Sequence, residues 1–164
     1  NLAWVPTHTT RSVRNDDKVL SQRIFDTETI FMRHVARNEF IEMTKIAEHL
    51  YGLLRPDLET AFHHNHPAIV ELSVDGAIKV AKEYPHSILI FIQADQKSRE
   101  DRIKHRNMAP VEIKERMHQS AKEEAIAHKE YDFLIENKED HPEVTIDAVK
   151  KIIVEHFPEL KEKG

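Results

Sequence analysis

Leu2-Ala3-Trp4-Val5-Pro6-Thr7-His8-Thr9-Thr10-Arg11-Ser12-Val13-Arg14 is the stretch on which the reading of this chain turns. Its first five residues are a short apolar run and read as a strand. Thr7 to Arg14, which follows, is rich in hydroxyls and carries two arginines three apart. Arginine presents a planar fork of donors that matches phosphate oxygens two at a time, and serine or threonine hydroxyls fill the remaining positions. A doubly anionic ligand suits such a segment. A solvated loop with two surface arginines explains the same spacing equally well, so the rest of the chain has to decide.

Downstream, Gln22-Arg23-Ile24-Phe25 alternates as an edge strand does. Thr27 and Glu28 open a helix with an apolar stripe of Ile30, Phe31, Val35 and Ala36, ending near Asn38. Glu39 to Met43 and the region around Ile46 read as two short strands with no glycine turn between them. His49-Leu50-Tyr51-Gly52 comes next, and Pro56, Asp57 and Glu59 then start a helix to about His63. Ala68 to Leu72 is a buried-type strand, and Ser73 or Asp75 caps a helix over Gly76–Glu83. Ser87 to Ile92 is a continuous apolar run, the mark of a strand covered on both faces. Asp95 caps a helix through about His105, and Pro110 starts a charged helix to about Lys129. Phe133 to Glu136 is a short strand, and Thr145 caps a last helix whose core stripe is Ile146, Val149, Ile152 and Ile153. Strand and helix alternate, so the fold class is α/β with a mainly parallel sheet. Such sheets bind ligands beyond the carboxyl ends of their strands, where the segment after Val5 would lie.

A chain of 164 residues is one domain of common size, able to bury roughly two-thirds of its unfolded surface. A net charge of −5 argues against a protein built to coat nucleic acid, while leaving room for a local basic pocket. Without cysteine there is no disulfide framework and no thiolate zinc site, which fits a reducing compartment. No apolar run approaches the roughly 18 residues of a membrane span, and no signal-peptide pattern is present. A cytoplasmic location is the expectation. The only glycines are Gly52, Gly76 and Gly164, so a G-x-x-x-x-G-K-[ST] phosphate loop cannot occur within these residues.

The order of signals resembles the guanylate kinase family, over nearly the whole chain. The family's T-T-R-x-x-R-x-x-E is matched by Thr9-Thr10-Arg11-Ser12-Val13-Arg14 with Asp17 in the acidic place. Its F-[IL]-E is matched by Phe40-Ile41-Glu42, its Y-G by Tyr51-Gly52, and its D-x-x-x-x-G by Glu71 with Gly76. Arg102-Ile103-Lys104-His105-Arg106 and Arg116 stand at lid positions, and Tyr131-Asp132 through Asn137 closes the series.

The resemblance implies a P-loop-NTPase-like parallel sheet flanked by helices, with a small monophosphate-binding β subdomain over about 8–64 and a helical lid over about 102–129. It implies ATP and Mg²⁺ as cofactors and a GMP-like nucleoside monophosphate as acceptor. By carry-over, Arg11, Arg14 and Tyr51 hold the acceptor phosphate, and Glu42 and Thr7 read the guanine edge. Arg102, Arg106 and Arg116 neutralise charge on the transferring group. Asn137 lies on the triphosphate side, and Glu71 takes the place of an aspartate near metal and phosphates. Three departures stand out: Leu53 replaces a hydroxyl residue after Tyr-Gly, Ser73 replaces an acid expected to help bind guanine, and Arg23 replaces a phosphate-touching tyrosine.

The start at Asn1 leaves two expectations open: a phosphate-loop segment upstream, or a pseudo-kinase without one. The second corresponds to the membrane-associated scaffold group, which binds phosphorylated peptides on the pocket face. The lid arginines favour the enzyme lineage. His63-His64-Asn65-His66 could suggest a metal site, but reads first as a solvated turn at a helix end. Glu42 could be the exposed member of an edge strand and Tyr51 a core aromatic, were the family register set aside.

Overall fold

The computed structural model describes residues 2–13, 23–62, 67–94, 98, 110–137 and 141–160. The chain forms two compact units, dividing between Pro85 and His86.

In the first unit, β1 (Ala3–Trp4) pairs in parallel with β6 (Ala68–Ile69). Beside this pair is a four-stranded sheet of β2 (Thr7–Thr9), β3 (Arg23–Phe25), β4 (Phe40–Ile46) and β5 (His49–Leu54) in the order β3-β2-β5-β4. β2 runs parallel to β3 and antiparallel to β5, and β4 and β5 form a hairpin. The first residues of the expected phosphate-binding loop are therefore strand, because Thr7 to Thr9 find backbone partners on both sides. The two short strands expected between Glu39 and Ile46 are one strand. Their turn is Ala47–Glu48, with Ala47 at φ 53° doing what a glycine ordinarily does.

Three helices complete this unit. α1 (Glu28–Ala36) begins where Thr27, in extended backbone, accepts a hydrogen bond from the Ile30 amide at 3.3 Å. It ends at Arg37, followed by Asn38 at φ 53°, a residue type that tolerates the left-handed region. Of its expected stripe only Phe31 is fully buried; Ile30 is exposed. α2 (Arg55–Phe62) has Pro56 and Asp57 in its first turn and buries Leu58 and Ala61. α3 (Val74–Glu83) is capped by Ser73, whose hydroxyl accepts from the Gly76 amide at 3.2 Å. Val5, Leu53, Leu58, Ala61 and Val80 make the core of this unit.

The four-stranded sheet has two chemically distinct faces. Register places Thr7 beside Arg23, Thr9 beside Phe25 and Tyr51, and Leu53 beside Glu42, all on one face. His8, Ile24, Gly52 and Met43 alternate to the other. A β-bulge between Phe40 and Glu42 lets these two residues, two apart in sequence, point to opposite faces. Phe40 stacks on Phe31 of α1 at 4.5 Å, while Glu42 lies against the first turn of α3.

In the second unit, β7 (Ile90–Gln93) pairs in parallel with β8 (Phe133–Glu136), in register Ile90 to Phe133 through Gln93 to Glu136. Asp132 accepts from the Leu89 amide at 2.8 Å and ties the two strand starts together. The strand is shorter than the apolar run suggested, and Ile92 is half exposed. α4 (Pro110–Glu130) confirms the charged helix and buries Ala127. α5 (Pro142–His156) starts four residues earlier than expected, with Pro142 in the first turn. Thr145 is consequently not a cap: it is buried inside the helix and donates to Asn137 Oδ1 at 3.1 Å. Within the expected stripe, Ile152 is buried and Ile146 is exposed. The helix expected after Asp95 lies outside the described residues, Ser98 apart.

Candidate functional site

Glu42 dominates the first face. Its residue is only 4% exposed, although β4 is an edge strand. A Cβ added at Gly76 would stand 2.8 Å from the Glu42 carboxyl carbon and from Oε2, and 3.0 Å from Ser73 Oγ. Glycine at 76 is thus what lets the carboxyl group lie over the start of α3, where amide dipoles favour negative charge. Among the described residues, Oε2 is buried with no hydrogen-bond partner. Burial pushes the Glu42 carboxyl above its ordinary value, and the opposing pull of Lys79 is the smaller effect. Buried polar atoms are nearly always satisfied, so an orphaned carboxylate oxygen marks a position for an incoming donor.

On the same face, the Arg23 guanidinium sits over the Tyr51 ring, 5.9 Å from its centroid, and donates to Glu71 Oε1 at 2.8 Å. Arg23, Tyr51 and Glu71 are therefore brought together. Since Glu71 is largely exposed and Arg23 offers five donors, this pair can exchange for a contact to phosphate.

Arg11 is 5% exposed. Its guanidinium lies 5.4 Å from the Phe25 ring centroid and donates to the Ser12 carbonyl at 2.8 Å. Its segment is anchored through hydroxyls: Thr9 Oγ1 donates to the Leu50 carbonyl at 2.9 Å and accepts from the Arg11 amide at 3.1 Å. Thr10 Oγ1 accepts from the Leu50 amide at 3.0 Å. The hydroxyls of Thr9 and Thr10 thus hold the arginine segment to the strand that carries Tyr51.

Thr7 is buried beside Arg23 in register. Ser73, expected to replace a base-reading acid, is engaged as the helix cap, and its hydroxyl and the Glu42 carboxyl both border the space over Gly76. Leu53 is fully buried in the core beside Glu42, so a hydroxyl there would have to give up that packing. Asn137, in the second unit, accepts from Thr145 and donates its backbone amide to the Gln93 carbonyl at 2.7 Å. Arg14, Asp17, Arg102 and Arg106 lie outside the described residues, as do His63, His64 and His66. Arg116 is on α4, with only its backbone described.

For the cofactors, the test is the donor set. Glu71 is a lone carboxylate already paired with Arg23. The group of described residues able to hold a metal is His8, Asp26 and His34, whose imidazoles do not suit Mg²⁺, a hard ion that takes oxygen ligands. Together with the lack of a glycine-rich phosphate loop in these 164 residues, the described side chains do not form a seat for Mg²⁺ and a triphosphate.

Sequence reasoning missed the role of Gly76 as the space for a carboxyl group. Its signal was the glycine three residues after Ser73, in the first turn of a helix. It also missed a buried network on the opposite face of the sheet, which has no contiguous signature.

The family model described as guanylate kinase matches residues 3–156. The guanylate kinase of Thermotoga maritima is 28% identical over 154 residues, covering 92% of this chain and 74% of that protein. The guanylate kinase of Mycoplasma pneumoniae is 30% identical over 129 residues, covering 75% of this chain and 53% of that protein. In fold, the chain is similar to the crystal structure of guanylate kinase from Anaplasma phagocytophilum, with a TM-score of 0.73 and 21% identity over 99% of this chain and 78% of that one. A family match that runs from β1 to the end of α5, on a chain with this sheet and this buried Glu42, has one reading: the chain belongs to the guanylate kinase family.

Proposed function

We propose that this chain supplies the acceptor pocket and lid of a nucleoside monophosphate kinase that phosphorylates GMP or a closely similar purine monophosphate. The observation that carries the reading is Glu42, a buried carboxyl group with one oxygen that has no partner among the described residues. Guanine presents a ring N–H and an exocyclic amine side by side, which together satisfy both carboxylate oxygens. Adenine lacks that pair and would leave the buried oxygen orphaned, at a cost of about 1–3 kcal/mol. Thr7 lines the same face of the sheet and would contribute to the base end. Arg11, Arg14, Arg23 and Tyr51 would hold the phosphate, with Arg23 exchanging Glu71 for it. Ser73 would keep Glu42 in place beside the helix start rather than read the base itself.

Arg102, Arg106 and Arg116 would neutralise charge on the transferring phosphoryl group, and Asn137 would serve the donor nucleotide. ATP and Mg²⁺ enter this proposal through the family alone. The chain's own contribution is to bind the acceptor, orient it, and keep water from its base through the buried face around Glu42.

Titration calorimetry with GMP and AMP tests the proposal. GMP is expected to bind and AMP to bind at least about 10-fold more weakly, one partner's worth of buried hydrogen bonding. In Glu42→Gln the GMP affinity should fall about 100-fold, because the amide offers a donor where the base needs an acceptor. Equal affinity for the two nucleotides would remove the base-reading role. Binding of a phosphoserine peptide in preference to both would point instead to a non-catalytic module.

A further inference from the structure

On the face of the sheet turned away from Glu42, five side chains from five segments of the first unit meet. His8 of β2 is buried between two carboxylates: Nδ1 lies 2.6 Å from Asp26 Oδ2 and Nε2 lies 3.0 Å from Asp57 Oδ2. The His8 and Asp26 side chains are each only 7% exposed. His34, in the last turn of α1, has its ring centroid 5.6 Å from that of His8, and its Nδ1 lies 2.6 Å from Glu39 Oε2. One ligand atom from each of His8, Asp26 and His34 lies within 4.8 Å of the other two. The Phe40 ring walls this cluster, edge-on to both imidazoles.

We propose that His8, Asp26 and His34 form a binding site for a Zn²⁺-class transition-metal ion, separate from the nucleotide face. Two imidazoles and a carboxylate are a ligand set that zinc accepts, with a fourth position left for water. The surroundings are those of such a site. An imidazole that binds a metal through one nitrogen ordinarily gives its other N–H to a carboxylate, which fixes the tautomer and aims the ring. Here each imidazole has its own carboxylate for this purpose: Asp57 on Nε2 of His8 and Glu39 on Nδ1 of His34. That leaves Nδ1 of His8 and Nε2 of His34 for the metal, with Asp26 as the third ligand.

Tetrahedral ligands at about 2.0–2.1 Å from zinc are about 3.3 Å apart. His8 Nδ1 and Asp26 Oδ2 need therefore part by less than about 1 Å from their hydrogen-bonded separation. The ion would sit between these two atoms in place of their hydrogen bond. A bound ion would join β2, the end of β3 and the last turn of α1, two strands of the sheet and the helix on its histidine face. The proposal does not depend on the nucleotide reading, because neither Glu42 nor the arginines take part.

Calorimetry with ZnCl₂ on the tag-free, EDTA-treated chain is the test, with thermal melting and Co²⁺ absorption as companions. The expected result is one Zn²⁺ per chain at micromolar or tighter affinity, a higher melting temperature with metal, and the visible absorption of tetrahedral Co²⁺. His34→Ala, at a half-buried position, should lower the affinity about 100-fold, and Glu39→Gln about 10-fold. The triple variant His63→Ala, His64→Ala, His66→Ala should bind as the parent does. Zinc affinity unchanged in His34→Ala, abolished in the triple variant, or undetectable in the parent would overturn the proposal. Should His34→Ala fail to fold, Glu39→Gln and the Co²⁺ spectrum of the parent decide the question: an octahedral, weakly coloured Co²⁺ complex would overturn it.

Discussion

The two faces of the four-stranded sheet are built from the same strands and solve opposite electrostatic problems. One face buries Glu42 with an orphaned oxygen. The other buries His8 with a carboxylate on each nitrogen. An unsatisfied buried acceptor raises the free energy of the ligand-free protein, whereas a fully bonded buried network stiffens it. The first face is arranged to receive a base, and the second ties its elements together through a bonded cluster that a metal ion can enter. Two of the three glycines in the chain serve this division. Gly52 makes room for the Phe40 ring on the histidine face, and Gly76 makes room for the Glu42 carboxyl group on the other.

The largest break in this comparison should come from Gly52→Ala. The new Cβ would stand 2.6 Å from two atoms of the Phe40 ring and 3.0 Å from the Glu42 carbonyl oxygen. The ring is fixed by its stack on Phe31, so the strand has to move, at about 2–3 kcal/mol. Chemical denaturation should show this as a lower midpoint with an unchanged slope. Gly76→Ala creates a contact nearly as short, but with the far end of a side chain. Glu42 would swing aside while alanine repays about 1 kcal/mol of helix propensity. Stability should barely change and GMP affinity should fall about 10-fold, as calorimetry would record. A Gly76→Ala chain that melts early yet binds GMP normally would mean that the two faces are not divided as described.

The smallest effect sharpens the comparison through pH. Because burial raises the Glu42 carboxyl above its ordinary 4.5, the folded chain keeps a proton that the unfolded chain has already lost. The stability from that proton is complete below the ordinary carboxyl range and disappears as pH rises through the raised folded value. Glu42→Gln, which cannot lose a proton, should therefore be the more stable chain at neutral pH by about 1 kcal/mol, and the gap should close in acid. Thermal melts of both chains across that range check the sign. GMP affinity in the parent should instead fall as pH is lowered, since the protonated carboxyl group loses an acceptor the base requires.

Much of the framework was legible beforehand because it rests on local chemistry. Thr27 reads as a helix cap and is one, and of the two caps left open for α3, Ser73 and Asp75, Ser73 is the cap. Gln22 to Phe25 reads as an edge strand, and Arg23 to Phe25 is one. Misreadings arose where a distant partner overrode the local signal. Thr145 has the chemistry of a cap, yet Pro142 begins the helix and Asn137 takes the hydroxyl. Thr7 to Thr9 has the chemistry of a loop, yet strands on both sides claim its backbone.

The sequence by itself determined the alternation of strands and helices, the family register and the lack of a glycine-rich phosphate loop within these residues. Each of these is written in neighbouring side chains and needs no third dimension. Only the tertiary structure decided that Glu42 is buried rather than on an exposed edge. The spacing of Phe40 and Glu42 assigns them to one face of a regular strand, and the bulge between them sends them to opposite faces. Only the tertiary structure, too, brought His8 to Asp26, 18 residues away, and to Asp57, 49 away. Such contacts form when packing closes long loops of chain, and no local periodicity encodes them.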